Sequence, residues 1–223
     1  MKKLALIATA IAAASAMLAA PAANAVTLGF QDEFSGGTNC INLVSGCSFL
    51  EATQTATGVH FELQGTMAPG EFITGLYGNY TGAPLAISNV GGTGASAYQG
   101  FSFSNDSFKA DGDGFFDWKI DLSSNFPRFD GVDVLSWDFV GATLASFNSR
   151  SVNGPVDKNG FLFATHAQGL VLGGSGWFKG ELTPTSTPFD VTPVPEPETY
   201  ALMLAGLGIV GFVARRRKNG AAA

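Results

Sequence analysis

Histidine and cysteine are scarce, with two of each in 223 residues. A Cys/His structural zinc site takes four ligands, so there are too few for a zinc array, and a single site would use them all. Charge is sparse as well, at 13% of residues, although 46% are hydrophobic and the mean hydropathy is +0.21. Yet the middle of the chain has no uncharged apolar run of the ~18 residues that a spanning helix needs, which excludes a polytopic bundle. Basic residues are outnumbered twelve to eighteen, for a net charge of −6, and this balance argues against a nucleic-acid reader. What is abundant is glycine, at 29, and phenylalanine, at 19, with 10 prolines. Such a composition argues against a coiled coil or helical bundle.

The apolar excess lies largely at the two ends. Lys2 and Lys3 precede an Ala/Leu-rich stretch from Leu4 to Ala20, and Ala23-Asn24-Ala25 supplies a small-x-small cleavage site with Ala23 and Ala25 as its small residues. Residues 1–25 therefore read as a secretory signal peptide, with the mature chain starting near Val26 outside the cytoplasm. At the other end, Pro195-Glu196-Pro197-Glu198 is followed by an apolar run and then Arg215-Arg216-Arg217-Lys218. Residues 200–214 make a transmembrane helix of 15 residues, ~22 Å long and short for a ~30 Å hydrocarbon core. Tyr200 at one interface and snorkelling arginines at the other offset part of the shortfall. The basic cluster, residues 215–218, acts as a stop-transfer signal on the cytoplasmic side and leaves the preceding chain outside. Gly206-x-Gly208-x-x-Gly211 mimics a dinucleotide fingerprint, but no strand precedes it and it sits inside this apolar run.

From Val194 to Lys218 the tail has a Pro-Glu-Pro signature, a Gly-containing apolar span and a terminal basic run, in that order. It closely resembles the PEP-CTERM sorting signal of Gram-negative bacteria, a tail also grouped with ice-binding protein C-terminal domains. The resemblance covers residues 195–218 and their immediate flank, and implies an exosortase substrate recognised at Pro195, Glu196 and Pro197. It further implies an inner-membrane-anchored precursor, processed and delivered to the cell envelope, surface or extracellular matrix in bacteria that make exopolysaccharide. An ordinary single-span anchor is the plainer alternative.

Between the ends, residues 26–182 read as one domain and 183–194 as a Pro/Thr-rich stalk. Over 26–193, six basic residues face sixteen acidic ones, a balance of −10 concealed by the basic ends. Anionic polymers are repelled by such a domain unless a cation bridges them. Short alternating or aromatic-rich runs occur at Ser48–Thr57, Val59–Gln64, Phe101–Phe103, Phe115–Leu122, Val134–Phe139, Gly160–Thr165 and Gly176–Leu182, with Gly, Asn, Asp and Pro between them. These predict strands, and eighteen of the nineteen Phe lie within residues 26–193, enough to fill the space between two sheets. The expected fold is all-β: a single β-sandwich, jelly-roll-like, with Ala83–Gly100 as a loop or irregular edge. Segments such as Phe115–Leu122 and Ala164–Gly169 resemble ones recurring in exported domains with this tail, which brings no activity with it.

Cys40 and Cys47 lie seven positions apart in an exported chain, where oxidation to a disulfide is the natural outcome, worth ~2.5 kcal/mol in the chain-entropy picture. Asp111, Asp113 and Asp117 resemble the front of a calcium loop. However, Phe115 stands where a third early ligand belongs and Leu122 where the bidentate Glu belongs; the same Asp-Gly pairs also make tight turns without an ion. His60 and His166 have no nucleophile motif beside them, neither G-x-S-x-G nor H-E-x-x-H, and no spacing selects a carboxylate pair. Trp118, Trp137 and Trp177, with Tyr77, Tyr80 and Tyr98, serve either as core or as faces for sugar rings. Thr53, Thr55 and Thr57 make one rung of an ice-binding ladder, not an array. The sequence thus predicts a non-enzymatic surface or matrix protein without a cofactor, associated with exopolysaccharide; a carbohydrate-binding module and a secreted hydrolase are the alternatives.

Overall fold

A computed structural model of the chain describes residues 25–36, 47–111, 114–153, 160–170, 174–182, 206, 207 and 209. The chain divides into two units, one being Ala25–Val191. In the other, which holds the chain ends, Gly206, Leu207 and Ile209 are helical. No helix among the described residues is long and apolar enough to cross a membrane.

The first unit is all-β. Its strands are β1 (Ala25–Ser35), β2 (Ser48–Gln54), β3 (Gly58–Gly65), β4 (Phe72–Gly78), β5 (Ile87–Gly91), β6 (Tyr98–Lys109), β7 (Phe115–Leu122), β8 (Phe129–Asp130), β9 (Val134–Val140), β10 (Phe163–Gln168) and β11 (Ser175–Leu182). The two separate sheets expected of a sandwich are instead one 11-stranded antiparallel sheet in the order β5-β9-β3-β2-β1-β11-β10-β4-β7-β6, with β8 beside β4. The reason lies in β1. Residues 25–29 pair with β2 while Leu28 to Ser35 pair with β11, and the register slips between Phe30 and Asp32 and again between Glu33 and Ser35. Such bulges add residues to one strand, bend it and sharpen its twist. One strand therefore turns the corner between two halves, and the sheet rolls into a nearly closed, barrel-like body.

Side-chain contacts show the closure. Phe61 on β3 packs on Trp137, Phe139 and Phe147, and also reaches Trp118 on β7 and Phe163 on β10, in the opposite half. Phe101 of β6 meets Phe139 of β9 at 5.5 Å between ring centroids, so the two ends of the sheet face one another. The gap between the edge strands β5 and β6 is spanned by a 3-10 turn, Thr93–Ala97, that seats Gly94 and Ala97 inside. The Gly/Ala/Ser-rich segment is accordingly an irregular edge.

Close packing explains the glycines of β4. A Cβ on Gly78 would lie 2.4 Å from Cζ2 of Trp118, so the indole fits only against a bare backbone. β1 and β11 are neighbours in the middle of the sheet order, and β1 starts and β11 finishes at the same end of the barrel, where Leu28 pairs with Leu182. The connections after β7 and β8 emerge at the opposite end, where Met67 N–H donates to Gly131 O and Gly65 N–H to Asp133 O. Phe126 and Val132, each 87% exposed, are displayed there.

Candidate functional site: an aromatic outer face

A rolled sheet needs apolar side chains on its inner face only. On β2, β3, β9 and β5 the middle outer rows are polar: Thr53, His60, Asp138 and Ser88 stand in one register row, and Glu51, Glu62 and Ser136 in the next, with Phe49, Val134 and Val140 toward the strand ends. The other half is different. A second apolar cluster, separate from the main core, buries Ala110, Phe116, Phe161 and Ala164 and packs Phe34, Tyr77, Phe108 and Trp177 against them, half-buried.

Strand register builds the rim of this cluster. Trp177 pairs with His166, His166 with Gly75, and Gly75 with Asp121, a row across β11, β10, β4 and β7. The His166 imidazole stacks on the Trp177 indole, with ring centroids 4.6 Å apart and planes 23° from parallel. Tyr77 meets Trp177 edge-on at 5.1 Å and leans over Gly75, where a Cβ would sit 2.9 Å from Tyr77 Cε2. The register shift opposite His166 and Ala167 makes Thr74 an extra residue in β4. Its hydroxyl shares a 2.8 Å hydrogen bond with His166 Nδ1 and fixes the ring. At the far side of the row, Lys119 Nζ donates to Asp121 Oδ1 at 2.8 Å.

Electrostatics follow from burial and neighbours. Burial lowers the His166 pKa, opposed by the Asp111 carboxylate, so the imidazole is neutral at pH 7. Burial, with Asp121 nearby, pushes the Tyr77 phenol up and keeps it protonated. With Nδ1 engaged, a neutral His166 keeps Nε2 for a hydroxyl partner.

The residues singled out from sequence fall in different places. Trp118 and Trp137 are fully buried in the main core, while Trp177 is half-buried on the outer face. Tyr80 and Tyr98 pack against the main core and Tyr77 against the outer cluster. His60 lies on the polar half, its Nδ1 2.6 Å from Asp138 Oδ1, and Asn89 Nδ2 donates to Asp138 Oδ2 at 2.6 Å. These two hydrogen bonds lower the Asp138 pKa. Of the three threonines only Thr53 is on a strand; Thr55 caps the following turn, its hydroxyl donating to Gly58 O.

Asp117 is buried in β7, and its two oxygens accept N–H bonds from Tyr80 and Asp106, each 2.8 Å. Asp111, in the turn after β6, accepts from the Ser35 hydroxyl. Asp113 lies outside the described residues, and among those described no group of three His, Cys, Asp or Glu converges as a metal site. Cys47 is fully buried ahead of β2. Its expected partner Cys40, together with Ala23, Pro195, Glu196, Pro197 and the cluster Arg215, Arg216, Arg217 and Lys218, lies outside the described residues. Ala25 opens β1 opposite Thr53. Sequence reasoning missed Thr74, Phe34 and Asp121; the register across β4 is what assembles them.

Neither the curated proteins nor the solved structures include a match to this chain. The family model for the PEP-CTERM protein-sorting motif does match, over residues 193–218, beyond the last strand. The motif implies export and an exosortase as processing partner, acting on a membrane-anchored precursor. Residues 193–218 of the chain thus match a PEP-CTERM protein-sorting motif, which follows the last described strand in sequence.

Proposed function

We propose that this chain is a cell-surface or extracellular-matrix protein, a structural or interaction component associated with exopolysaccharide, and not an enzyme. The sorting motif at residues 193–218 carries the reading, because it routes the chain through an exosortase. The body suits the role: β1 starts and β11 finishes at the same end of the barrel, and the loops at the other end are left for display. Its balance of −10 over residues 26–193 keeps it soluble and sets it against polyanions. Each histidine is already held by one side chain, His60 by Asp138 and His166 by Thr74. A hydrolase reading would need two converging carboxylates in a cleft; Glu51 and Glu62 do pair across β2 and β3, but on the outer polar face.

The test is made in an exosortase-bearing host that secretes exopolysaccharide. Mass spectrometry of the exported protein should find a C-terminus near the Pro-Glu-Pro motif, and the protein should co-fractionate with extracted polysaccharide. A chain ending at Ala223 would rule out processing. A processed protein found only in the polysaccharide-free supernatant would rule out the matrix role. Deleting residues 193–218 should abolish surface delivery.

A further inference from the structure

We propose that the row Trp177–His166–Gly75–Asp121, with Tyr77 and Thr74, is a binding site for an uncharged polysaccharide. The inference rests on the matrix reading for its class of partner and on the geometry for its place.

Three observations carry it. The first is asymmetry: one half of the sheet has outer rows that are polar at their middle, with only Phe49, Val134 and Val140 toward the strand ends, while the other bears a cluster of rings that closure of the barrel does not require. The second is the kind of surface. Trp177 and Tyr77 are half-buried, and their apolar faces suit the C–H face of a sugar ring. Beside them stand a neutral imidazole held by Thr74 and a carboxylate held by Lys119, which can exchange hydrogen bonds with hydroxyls. The bare backbone at Gly75 seats the Tyr77 ring over the middle of the row, between His166 and Asp121 in register. From β11 to β7 the row crosses three strand spacings, ~14 Å, a length that suits an oligosaccharide segment more than a single sugar.

The third observation is charge. Asp121 lies in the row and Asp111 acts on His166 from the turn after β6, and residues 26–193 hold six basic and sixteen acidic residues. At the rim Lys119 offsets Asp121 and Lys179 stands by Asp32, so a uronic-acid or sulfated polymer would be opposed by the net negative charge of residues 26–193, whereas a neutral hexose polymer would not.

Trp177 also provides the readout. Trp118 and Trp137 are fully buried, so N-bromosuccinimide should oxidise one tryptophan of three in the exported protein, and neutral oligosaccharides should protect it. Affinity electrophoresis through neutral glucan, galactan and mannan gels, with alginate as the anionic comparison, should show retardation by a neutral polymer. Trp177→Ala should weaken it about tenfold or more. Because Trp177 also packs on Phe34, Asp121→Asn serves as a second variant that leaves the rings in place and should weaken binding about threefold or more. Phe126→Ala, at the exposed loop end, should bind as the parent does. Retardation unchanged in both site variants, or stronger retardation by alginate, would overturn the site. No retardation by any neutral polymer would also overturn it, while a protein still recovered with its host's polysaccharide would leave the matrix role standing. Conversely, neutral-polymer binding by a protein absent from the matrix would sink that role and leave the site.

Discussion

Replacing Asp117 by alanine separates two readings of the Asp111–Asp117 segment. In the structure this carboxylate is a clamp: one oxygen accepts the Tyr80 N–H that follows β4, the other the Asp106 N–H in the bulge of β6, both at 2.8 Å. It thus ties three strands together where β6 departs from regular pairing between Phe103 and Phe108. A hydrogen bond to a charged group contributes about 1.5–3 kcal/mol, and truncation leaves two backbone donors without their acceptor. Because the two bonds share one carboxylate they do not simply add, and Asp117→Ala should cost about 3–4 kcal/mol. Urea unfolding followed by tryptophan fluorescence measures this. With a slope of about 2 kcal/mol/M, the midpoint should fall by roughly 1.5–2 M. Asp117→Asn keeps one acceptor oxygen and should lose about half as much. The losses should be the same in excess calcium and in EGTA. A midpoint shift below about 0.5 M would refute the clamp, and stabilisation of the parent by calcium that vanishes in the variant would make Asp117 a metal ligand.

Three further outcomes follow from packing, titration and redox chemistry. Gly78→Ala drives a Cβ to 2.4 Å from the Trp118 ring, and should cost about 2 kcal/mol, roughly 4–8 °C in Tm by scanning calorimetry; Gly100→Ala, with nothing within 4 Å, should change it by less than about 1 °C. Burial lowers the His166 pKa below its ordinary 6.5, so the unfolded chain binds this proton more readily than the folded one. Its effect on stability is therefore absent well above pH 6.5 and becomes destabilising as pH falls through the unfolded and then the folded pKa; His166→Gln should flatten that part of a urea-midpoint profile, and an unchanged slope would refute the assignment. Thiol labelling of the unreduced exported protein should find no free cysteine, whereas labelling at both Cys40 and Cys47 would sink the disulfide.

Strands that alternate cleanly were legible from sequence. Phe115–Leu122 is β7, Val134–Val140 extends the predicted strand by one residue, and Val59–Gln64 is the heart of β3. β4 was not, because Gly75 and Gly78 remove the β-forming signal; both are small to leave room for the rings of Tyr77 and Trp118. β10 begins three residues later than predicted. Phe161 lies outside it, its carbonyl accepting the Ser151 N–H and its ring joining the outer cluster. Consecutive aromatics caused the larger ambiguity. In Trp177-Phe178 one ring faces out and the next faces in, and a two-residue period cannot say which half of a sheet carries a second apolar face. The candidate site was therefore legible as residue types but not as a place, since the β4–β10 register that joins Thr74 to His166 spans 92 positions of sequence.

The edges of the sheet bear on how such a domain can associate with anything. An open sheet invites strand addition along its unpaired edges, and this one ends at β5 and β6. Both edges are irregular. In β5 the register slips between Ser88 and Gly91, where Asn89 has a φ of 52°, a left-handed conformation that breaks an extended template. In β6 the pairing is interrupted from Phe103 to Phe108, and the segment between holds the solvent-facing Ser104, Asn105, Asp106 and Ser107. The 3-10 turn joins the two edges, held by Thr93 Oγ1 accepting the Val134 N–H and by Ala97 O accepting the Ser123 N–H. Backbone pairing with a neighbour is thereby disfavoured at both edges. Side-chain faces and loop ends are then the surfaces better suited to association, and the proposed binding site uses the half of the sheet that presents Trp177, Tyr77 and His166.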